Sequence, residues 1–305
     1  MPTPNQTKAI NNKHSRQTIS VTMASFNNED CIADCLKSVN DWVDEIIVVD
    51  GYSTDKTAEI AKKLGAIVLL RPNNPIFHIQ KSIANQAAKS DWILQLDTDE
   101  IVTPGLKKEI LGILKGEYFG YDGWISPLKS TLNKITNIFP KPRLLEKPAS
   151  AYWLPRKNLF LNRYLKNAGQ YPDPVIRLFQ RGKAFLPAKD VHEQMEVKGT
   201  IGWLKSDLDH RATPNFARYL LREDRYSSLQ AKHLKDQGVR ITLFNTVNYL
   251  FIKPLFTFLS LYVRHRGLLD GFPGFVFSLY SGLHHAFSYM KLWELYKDEQ
   301  YGRKD

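Results

Sequence analysis

Residues 91–100, DWILQLDTDE, form a core-like apolar run that ends in three carboxylates, Asp97, Asp99 and Glu100. Acidic residues at alternate positions of a strand end can hold a divalent cation, and a cation held there can neutralise a diphosphate that the carboxylates alone would repel. Two other acidic segments share this character, ASFNNE at residues 24–29 and DGYSTD at residues 50–55. A D-x-D triplet is cheap by itself: a second one, Asp207 to Asp209 in DLDH, stands in the same chain. The alternative for Asp97 is that it only caps the turn after it. What separates the two triplets is the set of elements that must carry them.

Apolar runs at residues 18–23, 45–49, 67–70 and 92–96 predict strands, and helical periodicity fills the intervals at 29–39, 53–65 and 76–88. Ser53 or Thr54 is expected to cap the second helix, with Asp55 in its first turn and Gly65 at its end. Such alternation predicts an α/β fold with a mostly parallel sheet and helices on both faces. Ligands of such sheets sit beyond the carboxyl ends of the strands, where all three acidic segments fall. No G-x-G-x-x-G follows the first strand and no P-loop occurs, so a dinucleotide reading fails and a metal with a nucleoside diphosphate takes its place.

Composition bounds the partners. With 43% hydrophobic residues in 305, the chain can build a sizeable core. Its 42 Lys and Arg against 31 Asp and Glu give a net charge of +11, which suits an anionic partner: nucleotide, phosphorylated lipid or membrane surface. Nucleic acid is not expected, because the basic residues form no aromatic-interleaved module. Cys31 and Cys35 stand one helical turn apart and read as small core residues. Residues 1–17 are polar, lack an apolar signal segment and read as a flexible tail, and a cytoplasmic location is expected.

The ordered segments SVTMASFNNEDCIADCLKSV, DEIIVVDGYSTDKTAEIAKKLGA and DWILQLDTDEIVTPGL resemble the family 2 inverting glycosyltransferases of GT-A fold. YWLPRKNLFLNRYLKNAGQYPDPVIRLFQRG and VHEQMEVKGTIGWLKSDLDH are similar to the subgroup that includes lipopolysaccharide core β-glucosyltransferases, and the likeness covers most of residues 18–300. Two positions depart from the pattern: Ala24-Ser25-Phe26 replaces the commoner Pro-Thr-Tyr, and VVDGYSTD lacks the frequent paired aspartates.

The resemblance implies roles. Ala24, Phe26 and Glu29 lie in the nucleotide-binding loop, with Phe26 stacking on the base and Asp50 accepting from uracil N3–H. Asp97 holds ribose or metal-bound water, and Asp99 is the foremost ligand of Mn2+ or Mg2+, with His210 a further one. Lys81 reaches base or diphosphate or is a solvated helix lysine, and Arg177 pairs with the diphosphate or with Glu193. Inverting transfer needs a carboxylate that takes the acceptor proton. Glu193 in DVHEQ matches that position, with His192 orienting it, and Asp173 and Asp190 are its rivals. The donor is then a nucleotide sugar, UDP-hexose foremost, and the acceptor a glycan or glycolipid; the competing class is a non-catalytic sugar-nucleotide sensor, which would need no base.

The chain changes character near residue 236, dividing the expected organisation into a tail (1–17), a catalytic domain (18–235) and a helical region (236–305). Residues 241–263 carry one charge, Lys253, and residues 272–290 none beyond two histidines. Length permits a span, whereas Lys253-Pro254, Gly282 and many aromatics favour helices lying in the interface. Arg264, His265, Arg266, Lys253 and Lys291 then face anionic headgroups, on the inner face of the cell membrane. A helical cap packed on the catalytic domain is the alternative.

Overall fold

A computed structural model of the chain describes residues 16–74, 76–117, 119–121, 142–144, 148–187, 194–213 and 215–301. Its strands are β1 (Ile19–Ser25), β2 (Glu45–Asp50), β3 (Ile67–Leu70), β4 (Trp92–Gln95), β5 (Glu100–Val102), β6 (Phe119–Tyr121), β7 (Pro142–Leu144), β8 (Ala151–Phe160), β9 (Arg163–Tyr164), β10 (Asp173–Gln180), β11 (Ala184–Phe185), β12 (Glu196–Val197), β13 (Ile201–Trp203) and β14 (Leu208–Thr213). The helices are α1 (Ile32–Lys37), α2 (Thr57–Lys63), α3 (Phe77–Ala87), α4 (Pro104–Leu114), α5 (Phe216–Asp236), α6 (Leu243–Arg264) and α7 (Gly271–Tyr301). The chain divides into two compact units that interleave along the sequence. The first takes the residues up to Thr98, Pro104–Leu154 and Ile176–Ser206; the second takes Asp99–Thr103, Pro155–Val175 and everything from Asp207 onward.

In the first unit β3, β2, β1 and β4 pair in that order, all parallel, as the alternating pattern requires. β1 and β4 are buried along almost their whole length, the signature of central strands covered on both faces. β10 closes this half antiparallel to β4. α3 packs on the sheet through Ala84 and Ala88 against Ile47, Val49, Ile93 and Phe179. Asn85 fixes its height there, accepting from Thr22 Oγ1 at 2.6 Å and donating to Gln95 at 3.3 Å.

One local expectation is corrected. Neither Ser53 nor Thr54 caps α2, which starts at Thr57; Asp55 accepts from the Thr57 N–H at 2.9 Å instead. Ser53 is engaged elsewhere, as both its N–H and its hydroxyl donate to the buried Asp50. Gly65 follows α2 at φ 87°, where a side chain would be strained.

The second unit is built on β14, which runs parallel to the end of β8 and antiparallel to β5. Three helices complete it. α5 and α7 meet through Tyr219 and Tyr280, edge to face at 5.7 Å, and through Lys291 on Asp224 at 2.7 Å. α6 lies along α7, where Tyr249 stacks on Tyr289 at 5.1 Å and Thr257 meets His285 Nε2 at 3.0 Å. The crossing is tight: a Cβ on Gly282 would fall 2.5 Å from the Pro254 carbonyl oxygen.

Candidate active site

In the first unit the carboxyl ends of β1 and β2 are knitted together by side chains. Asp50, fully buried at the end of β2, accepts from Ser53 N–H at 2.8 Å, from Ser53 Oγ at 2.6 Å and from Ser25 Oγ at 2.8 Å. The loop after β1 is stapled to the loop after β2: Asn27 N–H donates to Ser53 Oγ, Thr54 N–H to Asn27 Oδ1, and Lys56 N–H to Glu29 Oε2, each at 2.9 Å. Glu29 thereby holds the start of α2. Phe26 is left on the surface at 43% exposure beside the half-buried Ala24, with its ring open to a planar partner.

Asp97 follows β4 and is gripped by two cations of the same unit. Lys81 from α3 and Arg177 from β10 bind its two carboxylate oxygens, the arginine at 2.5 Å. Lys81 and Arg177 are 5% and 8% exposed, so neither is a solvated surface charge. Lys81 also lies over the Phe77 ring at 4.8 Å. Two buried cationic side chains thus meet at one carboxylate, groups of the kind that bind a diphosphate.

Asp99, two residues on, belongs to the second unit and keeps different company. Its Oδ2 is 3.5 Å from His210 Nε2. His210 Nδ1 meets Asn158 Oδ1 at 2.6 Å, Asn158 donates its amide to Asp173 at 3.0 Å, and Asp173 accepts from Arg156 Nη2 at 2.6 Å. Arg156 also donates to the fully buried Glu100 at 3.2 Å. Because the Asn158 amide nitrogen is committed to Asp173, its oxygen accepts from His210 Nδ1, and Nε2 is the ring atom that faces Asp99. An imidazole nitrogen and a carboxylate oxygen side by side form a donor pair that fits a divalent ion whose remaining ligands come from diphosphate and water. Among the described residues no group of three or more His, Cys, Asp or Glu forms a metal cluster.

The second D-x-D is closed on itself. Asp207 binds Lys157 at 3.2 Å and the Tyr171 hydroxyl at 2.8 Å; Asp209 binds Lys157 at 3.3 Å and the Tyr164 hydroxyl at 3.1 Å. Burial opposes the Lys157 charge, but Asp209 and Asp207 more than offset it and raise its pKa. Burial and Asp207 together push the Tyr171 hydroxyl well up.

Asp173 joins the His210 network, whereas Asp190, His192 and Glu193 lie outside the described residues. Arg156 and Asn158 went unread in the sequence. They sit at alternate positions of β8 and so share one face of the strand, a signal visible in YWLPRKNLF once that stretch is read with a period of two. Lys157 between them faces the other triplet.

A parallel half-sheet ordered β3-β2-β1-β4, with carboxylates at its strand ends, defines the GT-A class of nucleotide-sugar transferases. The chain belongs to Glycosyl transferase family 2, whose profile matches residues 20–184. It is an enzyme that transfers sugar from a nucleotide sugar. It is 28% identical over 263 residues to an uncharacterized glycosyltransferase of Rickettsia felis, covering 86% of this chain and 85% of the relative. It is likewise 28% identical over 265 residues to one of Rickettsia prowazekii, covering 86% and 82%. Among solved structures, residues 1–349 of S. aureus TarS in complex with UDP align over 93% of this chain and 92% of that one, at 12% identity and a TM-score of 0.40.

Proposed function

We propose that the protein moves a hexose from a UDP-hexose, with inversion, onto a hydroxyl of a lipid-linked or lipopolysaccharide-type saccharide at the inner face of the cell membrane. The observation that carries the donor half is the fate of the D-T-D segment. One carboxylate is held by buried Lys81 and Arg177 in the first unit, and the other faces His210 in the second. Phe26 stacks on the uracil, and Asp50, which ties the loops around it together through Ser25 and Ser53, keeps a lone pair on Oδ1 to accept from uracil N3–H. Lys81 and Arg177 bind the diphosphate. Asp99 and His210 hold Mn2+ or Mg2+, which when bound stabilises charge on the leaving diphosphate.

In the reaction the acceptor oxygen attacks the anomeric carbon, the bond from that carbon to the diphosphate oxygen breaks, and a carboxylate takes the acceptor proton. Glu193 fills the last role. Asp173, whose Oδ2 accepts from Arg156 and Asn158, holds the polar face toward the acceptor.

The membrane half rests on α6. It is 22 residues long with mean hydropathy 1.3, and only 11% of its apolar window is buried. Leu243, Phe244, Phe251, Leu255 and Phe256 are each more than half exposed, and Arg264 and Arg266 are exposed beside them. Its opposite face packs on α7, which in turn packs on the highly charged α5. Crossing the bilayer would drag those charges into hydrocarbon, so α6 lies in the interface. Lys253 lies over the Tyr249 ring at 3.6 Å and Lys291 binds Asp224 at 2.7 Å.

The reading is tested by offering a panel of UDP-hexoses with a membrane lipid extract and identifying products by mass spectrometry, with and without EDTA. Glu193→Gln should keep UDP affinity and lower transfer by about 10²-fold or more. Unchanged turnover in that variant removes Glu193 as the base, and a wild-type chain that neither binds UDP nor forms product defeats the reading.

A further inference from the structure

The second unit contains a cavity of about 190 Å3, roughly the volume of six water molecules and hence of one sugar ring. Phe160, Tyr219 and Phe277 line it together with the polar Asn158, Asp173 and His210. A lining of aromatic rings and hydrogen-bonding side chains suits a sugar, whose C–H face packs on rings while its hydroxyls find partners.

Its charge is specific. Arg156 lines the cavity but is matched by Asp173 and Glu100. Arg222, exposed on α5, also lines it and is steadied by a bond to Thr213 Oγ1 at 3.2 Å. Among the described residues no carboxylate lies within ion-pair distance of Arg222, because its neighbour Glu223 is bound to His284 at 2.5 Å. A guanidinium fixed at a cavity wall without a carboxylate fits an anionic substituent on the sugar, phosphate above all.

The same cavity is joined to the apolar surface of its unit. Leu165 and Gln170 line it, and the loop between them is bound to the turn before α7. Buried Asp270 accepts from Asn167 N–H at 2.8 Å and Lys166 N–H at 3.2 Å, and Ala168 N–H donates to the His265 carbonyl at 2.9 Å. That turn exposes Leu268 and Leu269, and Phe272 at 72% exposure precedes the wall residue Phe277 by about 7.5 Å of helix rise.

We propose that this cavity binds the phosphorylated sugar headgroup of a membrane-held acceptor, with Arg222 on the phosphate. The assignment rests on the transferase reading above. It is tested on the full-length protein by saturation-transfer NMR with glucose 6-phosphate, glucose and inorganic phosphate as probes. The hexose phosphate should bind more tightly than either fragment. Arg222→Ala should weaken it by about tenfold or more, while Arg225→Ala, which removes the same charge one turn along α5 and outside the cavity, should change it less than about twofold. Absent binding, equal affinity for glucose, or equal loss in both variants overturns the site. Neutral phosphatidylcholine bicelles doped with phosphatidylinositol should displace the hexose phosphate; if they do not, the ligand is a soluble sugar phosphate and the lipid half is wrong. UDP binding, measured on the same samples, should be alike in wild type and Arg222→Ala. A chain that binds hexose phosphate through Arg222 but not UDP would uphold the cavity and sink the donor assignment instead.

Discussion

At the scale of single residues, the three carboxylates that end β4 and open β5 do three different jobs. Glu100 is buried against Arg156, Asp97 binds two buried cations, and Asp99 faces an imidazole. The distinction is measurable. Asp97→Asn removes the carboxylate charge that buried Lys81 and Arg177 bind and should cost about 3 kcal/mol or more of stability in denaturant unfolding. Asp99→Asn should stay within about 1 kcal/mol of wild type yet abolish the dependence of UDP binding on Mn2+. If the two variants unfold alike, the ion cluster on Asp97 contributes no more than a surface pair does, and its structural role is wrong.

Among the elements, α6 shows how a proline and an apolar stripe coexist in one helix. Pro254 lacks an N–H and its ring would clash with the preceding turn; the π segment Asn248–Ile252 just before it widens the helix and absorbs both faults. A second π segment, Ser260–Arg264, ends the helix. An α-helix turns every 3.6 residues, so side chains repeating every four, Leu243, Val247, Phe251, Leu255, Leu259 and Val263, would drift around it. The wider π turns draw that stripe back to one side, where all six are exposed. The opposite side meets His285, whose pKa is held below the ordinary histidine value by burial, by His284 and by Lys253. A histidine kept neutral by the fold contributes stability that is complete above its unfolded pKa of about 6.5 and is lost as pH falls from there through the lowered folded value. Thermal unfolding should therefore show stability falling below pH ~6.5. His285→Gln, which can still bond Thr257 but cannot titrate, should flatten that fall; an unchanged profile would assign the pH dependence to other groups.

For the molecule as a whole, the consequential surface is the exposed apolar side of α6 and of the turn after it. The protein should sediment with anionic vesicles and be released by detergent. High salt should weaken attachment only in part, because it screens Arg264 and Arg266 and leaves apolar insertion intact. Replacing Leu255 and Phe256 together by Glu removes two side chains that are 59% and 71% exposed, so the fold should persist while vesicle affinity drops by about 10²-fold or more. A wild-type chain that stays in the supernatant with vesicles, or a double variant that sediments as before, would leave the membrane without a role at this surface.

Much of this was written in local pattern. Alternating apolar runs and helical intervals specified β1 to β4 and their parallel pairing, since period and connection length are properties of neighbours in the chain; strand ends and the acidic segments on them followed. Residues 241–263 declared their apolarity by composition alone. What the pattern could not specify was pairing between residues far apart in sequence. Lys81 and Arg177 on Asp97, or Arg156 and Asn158 leading to His210, depend on which strands become neighbours and which face of each turns inward. Lys81 is a surface lysine or a buried counterion by the same sequence, and only the approach of the segment after β4 to α3 decides between them. The Ser53 hydroxyl was likewise legible as a helix cap, but its oxygen accepts from the Asn27 N–H and its proton goes to the buried Asp50. The cavity beside Arg222 was invisible for the same reason: its walls come from β8, β14, α5 and α7, and it exists only where those elements are brought together by packing.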